Sequence, residues 1–110
     1  RPDLIVHVPV ESSHSSSRAE NNFVVFEFKR KANEGRAKED FEKLNELFEN
    51  LEYPLGIFIN INGCPNIFLN KYSGNFKNRI HEFCITQTNG KNNVLHAYFQ
   101  NDKVIIENIK

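Results

Sequence analysis

Two carboxylates and one amine stand where they could do chemistry: Asp3, heading the apolar run Leu4-Ile5-Val6-His7-Val8, and Glu27 and Lys29, ending the run Phe23-Val24-Val25-Phe26. Both runs are β-branched and aromatic, and residues 9–22 between them are rich in Ser, Glu and Asn, so they read as two strands joined by a loose hairpin. Alternation along the second strand sends Glu27 and Lys29 to one face with Val25, and Val24, Phe26 and Phe28 to the other. Antiparallel pairing then predicts that Asp3 and Glu27 lie close enough to share one cation, with Lys29 on the same side. Such oxygen donors suit Mg or Mn, which needs only one or two carboxylates when water and phosphate complete its shell. An ammonium beside them suits the charge that builds on a phosphate under attack. Taken singly, each piece is ordinary. A Glu-X-Lys at a strand end is most often a surface ion pair worth about 0–1 kcal/mol, and Pro-Asp at a strand start is common turn chemistry. Their conjunction, in this order, points to a site.

These residues need a scaffold. Residues 30–36 hold Asn33 and Gly35 and read as a charged turn. From Ala37 to Leu51, Phe41, Leu44, Leu47, Phe48 and Leu51 recur at three- and four-residue spacing, which predicts a helix with an apolar stripe and Asp40 and Lys43 at its edge. Pro54 stops it, and Leu55-Gly56-Ile57-Phe58-Ile59-Asn60-Ile61 reads as a strand covered on both faces. Asn62-Gly63 marks a turn, Pro65 to Leu69 a short edge strand, and Tyr72 to Asn78 a loop. The runs 79–87, 93–99 and 103–109, separated by Thr88-Asn89-Gly90 and Gln100-Asn101-Asp102, predict an antiparallel meander. At 110 residues this is one domain of the α/β (α+β) class, in which 1–62 form the core and 63–110 a β-rich extension. The loop Ser12 to Ser17, without an apolar anchor, is expected to be the most mobile segment.

Pro2-Asp3 followed by Glu27-Phe28-Lys29 resembles the signature of the PD-(D/E)XK nuclease superfamily: a Pro-Asp, a variable spacer, then an acid, any residue and a lysine. The likeness extends through Arg1-Pro2-Asp3-Leu4-Ile5-Val6-His7, Asn22-Phe23-Val24-Val25-Phe26-Glu27 and the helix with Asp40, Lys43 and Leu44, which are similar to bacterial nuclease-like proteins, and it covers residues 1 to about 62. The resemblance implies a restriction-endonuclease-like mixed β-sheet core with a crossover helix. It implies Asp3, Glu27 and Lys29 as catalytic residues, and Asp3, Glu27 and the backbone carbonyl of Phe28 as ligands of Mg (or Mn). Asp40, Lys43 and His7 are auxiliary candidates. The ordinary alternatives are an i, i+3 ion pair for Asp40 and Lys43 and a packed histidine for His7. Family members usually place a helix before the Pro-Asp strand, often carrying a further acid. Here the chain opens at Arg1, directly on that strand, so the resemblance implies a domain without its N-terminal helix.

Lys+Arg and Asp+Glu both number 14, which excludes the large basic field of a non-specific nucleic-acid coat. It leaves room for a nuclease with a local basic rim. Lys29, Arg30, Lys31, Arg36 and Lys38 follow the second strand, and Glu39, Asp40, Glu42, Glu46, Glu49 and Glu52 make the helix acidic. The expected partner is nucleic acid, DNA ahead of RNA, cut by metal-activated water. The alternative is a catalytically inactive module of the same fold that binds nucleic acid or protein. Substrate specificity, homodimer formation and core completion all stay open for 63–110. Cys64 and Cys84 have no metal-binding spacing and read as two buried free thiols. His14, His81 and His96 show no ligand spacing, so no zinc is assigned. No run approaches the roughly 18 apolar residues of a membrane span, and no signal pattern opens the chain. A cytoplasmic, reducing location is expected, with no membrane partner.

Overall fold

The computed structural model describes residues 3–7 and 22–109, with the side chains of His7 and Asn22 outside that set. The serine loop expected to be mobile and His14 also lie outside the described residues. Strands β1 (Leu4–His7), β2 (Asn22–Arg30), β3 (Leu55–Ile61), β4 (Ile80–Thr88), β5 (Lys91–Gln100) and β6 (Lys103–Asn108) form one sheet in the order of the sequence, and one α-helix, α1 (Glu34–Leu51), joins β2 to β3. The fold is mixed α+β. β2, β3 and β4 run parallel to one another, whereas the β1–β2, β4–β5 and β5–β6 pairs are antiparallel. The C-terminal meander therefore extends the sheet.

Helix α1 starts three residues earlier than the apolar stripe suggests. The Asn33 side chain accepts the Arg36 N–H at 2.8 Å and caps the first turn, which outweighs the helix cost of Gly35. The face that it buries carries Ala37, Asp40, Phe41, Leu44 and Phe48, while Leu51 stays exposed. Phe41 meets Phe58 of β3 edge-on at 5.2 Å between ring centroids and Tyr72 at 6.4 Å. Tyr72 belongs to the β3–β4 crossover, so both crossovers cover the same face. This is the expected result when two right-handed connections advance in one direction along a parallel sheet.

Two expectations about this region are corrected. Strand β3 was expected to be covered on both faces, but Gly56, Phe58 and Asn60 are buried beneath the helix while Leu55, Ile57 and Ile59 are only half-buried. Pro65 to Leu69 is not an edge strand; a 3-10 turn at Leu69–Lys71 follows irregular chain. The reason is a side chain. The buried Glu82 carboxylate accepts the Phe68 N–H at 3.0 and 3.2 Å, using the donor that a sheet ladder would have needed.

Cys64 and Cys84 are joined in a disulfide with Cα atoms 5.6 Å apart, so the expected pair of free thiols is also corrected. Cys84 lies on the helix-covered face at the level of Asn60, and the turn after β3 folds Cys64 over it. A sequence separation of 20 residues carries no sign of that. With both thiols paired, the cysteines give no sign of a reducing location. Among the described residues, no helix is long and apolar enough to cross a membrane.

Helix and sheet pack tightly at Gly56, where an added Cβ would lie 2.5 and 2.8 Å from Phe48 ring atoms and 3.3 Å from Leu44. Gly56→Ala is expected to lower unfolding stability by about 2 kcal/mol through overpacking. Urea melts would check this, and an unchanged midpoint would refute the tight fit.

Candidate functional site

The site forms where β1 pairs with β2 and α1 packs over β2. Leu4 pairs with Phe26, which carries Asp3 to the level of Glu27. There the two acids are cross-tied through the backbone: the Asp3 N–H donates to Glu27 Oε2 at 3.2 Å, and the Phe28 N–H donates to Asp3 Oδ2 at 2.7 Å. Glu27 sits on the helix-covered face and is buried. Its second oxygen, Oε1, has no hydrogen-bond partner. Burial, then the negative charges of Asp40 and Asp3, push its pKa up to about 6; Lys43 and the Asp3 N–H act the other way.

Lys29 leaves the same face two residues on. Its Nζ lies 2.8 Å from Asp40 Oδ2 and donates to the Phe28 carbonyl at 3.4 Å. The Asp40 side chain is 1 % exposed and that of Lys29 19 %, so this ion pair is largely desolvated. Lys43 approaches Asp40 Oδ1 at 3.7 Å from an exposed position, the ordinary i, i+3 contact on a helix. Beyond the two ammonium groups, neither Asp40 oxygen has a hydrogen-bond partner. The structure thus brings together Asp3, Glu27, Phe28, Lys29 and Asp40, with Lys43 at the rim. His7 is placed in β1 by its backbone, and its side chain is not described.

Whether these residues suit a divalent cation is a question of donors. A buried carboxylate oxygen without a partner, an adjacent carboxylate on the neighbouring strand and a strand-end carbonyl are hard oxygen ligands of the kind that Mg prefers. Among the described residues, no group of three or more His, Cys, Asp or Glu side chains is disposed to hold a metal ion. Two carboxylates and one carbonyl are too few to cage an ion, so a cation held by them would keep several waters, as Mg does.

Asn60 was not anticipated. It is buried in β3 opposite Lys29, and its Oδ1 accepts the Ala32 N–H at 2.9 Å, fixing the chain as it leaves β2. In an apolar run it read only as a strand residue. Glu82, too, gave no sequence signal. Its burial raises its pKa to about 7 against the lowering effect of the Phe68 and Leu69 amides.

The other face of the sheet is richer in exposed apolar groups, among them Leu4, Val6, Phe28 and Ile61. On it, His81 Nδ1 and His96 Nε2 are 2.9 Å apart, a separation at which one ring donates and the other accepts. His81 has a pKa lowered by burial and then by His96. The sequence contained the signal. The turn at Asn89-Gly90 fixes the register that pairs Phe83 with His96 and His81 with Tyr98, which sets the two imidazoles diagonally across neighbouring strands. A groove of about 420 Å³ lies elsewhere, between α1 and the crossover, lined in part by Glu42, Asn45, Glu49, Lys71 and Gly74. Of the residues named for the site it holds only Lys38 of the basic run.

The chain matches no protein-family model, no curated protein and no solved structure.

Proposed function

We propose that this chain is a Mg-dependent nuclease domain of restriction-endonuclease-like fold that hydrolyses phosphodiester bonds, with DNA as its substrate. The observation that carries this reading is the buried Glu27 carboxylate, cross-tied to Asp3 and holding one oxygen without a partner, with Lys29 on the same face. A carboxylate left so is costly unless a cation or a proton completes it. The parallel pairing of β3 with β2 and the crossover helix between them are the arrangement that the superfamily resemblance implies.

Asp3, Glu27 and the Phe28 carbonyl would hold the cation. When bound, it supplies a nucleophilic water at neutral pH and neutralises charge on the phosphate. The remaining work falls to the protein. The Asp3 and Phe28 amides fix the two carboxylates against one another, so little reorganisation is needed at the moment of reaction. Lys29, beside them, offers its ammonium to a non-bridging phosphate oxygen. Arg30, Lys31, Arg36 and Lys38 are exposed around the end of β2 and the start of α1, a local basic rim for the flanking backbone of a nucleic acid.

The test is nicking of supercoiled plasmid and cleavage of DNA and RNA oligonucleotides with Mg or Mn, against an EDTA control. Cleavage that needs the metal and EDTA abolishes is expected, with DNA cut faster than RNA. Binding without cleavage under any metal would replace the enzyme with a binding module of the same fold. Cleavage insensitive to EDTA would remove the metal from the reading.

A further inference from the structure

Asp40 lies on the helix, outside the strand motif, yet it makes the shortest contact to the motif lysine. Lys29 Nζ sits 2.8 Å from Asp40 Oδ2 and 3.4 Å from the Phe28 carbonyl, the same oxygen assigned above to the cation. The ammonium thus stands at the margin of the cation position, held back by a carboxylate that is 1 % exposed. Asp40 itself is buried on the α1 face that covers the sheet and is fixed there by packing at Ala37, Phe41 and Leu44 on either side. Long lysine side chains swing freely when not held. Without Asp40, the partnerless Glu27 Oε1, buried on the same strand face, is an acceptor that this ammonium could take.

We infer that Asp40 is a positioning residue that tethers Lys29, keeping its ammonium out of the Asp3–Glu27–Phe28 cation position while leaving it beside the phosphate. The inference rests on the cation site proposed above. It differs from two simpler roles. As a direct ligand, Asp40 would act on the cation whatever stood at position 29. As a distant charge, it would add its field independently of Lys29. As a tether, its effect exists only while Lys29 is there to be held.

That difference is measurable without turnover. Mn(II) affinity, read by the EPR signal of free Mn in titrations of the full chain, is compared in wild type, Asp40→Asn, Lys29→Gln and the double variant. Asp40→Asn is expected to weaken Mn binding about tenfold when Lys29 is present and less than threefold in the Lys29→Gln background, a coupling of about 1.4 kcal/mol at most on conversion. Lys29→Gln alone should tighten binding severalfold. Equal weakening by Asp40→Asn in both backgrounds would overturn the tether and make Asp40 a ligand or a field charge. No weakening in either would overturn it as well. Should Asp40→Asn not fold, as judged by thermal unfolding, Asp40→Ser replaces it in the same cycle, and equal effects on Mn binding with and without Lys29 overturn the tether in the same way. Failure of wild type to bind millimolar Mn would remove the cation site itself, and the inference with it, an outcome distinct from a missing coupling.

Discussion

Glu27→Gln is expected to abolish metal-dependent cleavage, by on the order of a thousandfold or more, while making the protein more stable at pH 8. The loss follows from charge: the proposed cation, worth several kcal/mol to the transition state, would lose one of its two carboxylates, and each 1.4 kcal/mol is tenfold in rate. The gain follows from the same burial. The folded pKa of Glu27 is raised from 4.5 to about 6, so the folded state prefers the neutral group. Stability from that preference is complete below the unfolded pKa and lost as pH rises through about 6. At pH 8 the ionised carboxylate then costs about 2 kcal/mol, which glutamine avoids while its oxygen still accepts the Asp3 N–H. Activity and stability moving in opposite directions mark a residue kept for function and not for the fold. Plasmid nicking with Mg and urea melts at pH 8 measure the two effects. A variant as active as wild type would discard the site. A variant both inactive and less stable would make Glu27 a structural residue.

Much of this could be read before the fold was known, for identifiable reasons. The strand at 55–61 and the meander strands declared themselves through apolar runs bounded by strong turns. Asn89 and Gly90, and again Asn101 and Asp102, take positive φ at both central positions, the geometry that tight hairpins demand and that these residue types tolerate. Alternation along β2 was enough to put Val25, Glu27 and Lys29 on one face. What stayed hidden depended on partners distant in sequence. Ile67, Phe68 and Leu69 have strand composition, yet the Phe68 amide is claimed by Glu82, 14 residues on. Asp40, an auxiliary candidate through the resemblance, read from spacing alone as half of a helix-surface pair with Lys43. Its contact with Lys29 needed the helix's position over β2, which periodicity cannot supply. The pairing of Cys64 with Cys84 likewise waited on the register of β4 against β3.

Glu82 shows how such a hidden group governs the whole domain. It lies in the same cross-strand row as Glu27 and Phe58, buried under the helix-covered face, with its carboxylate turned toward the Phe68 and Leu69 amides. Those amides favour the charged form, but desolvation outweighs them and the folded pKa is about 7 against 4.5 for the free group. In the folded chain the proton stays on until about pH 7, whereas the unfolded chain releases it near pH 4.5. Its stabilising contribution is therefore complete below pH 4.5 and lost as pH rises through 7, a fall of about 3 kcal/mol. Glu82→Gln keeps an acceptor for the Phe68 N–H and removes the titration. The stability difference between variant and wild type is thus expected to shift by about 3 kcal/mol in the variant's favour between pH 4.5 and pH 8, measured by urea unfolding at intervals across that range. Taking the difference cancels Glu27, which acts in the same direction, and His81, whose lowered pKa acts in the opposite one. Parallel curves for the two proteins would mean that Glu82 is ionised in the fold at all these pH values, its charge carried by the two amides alone.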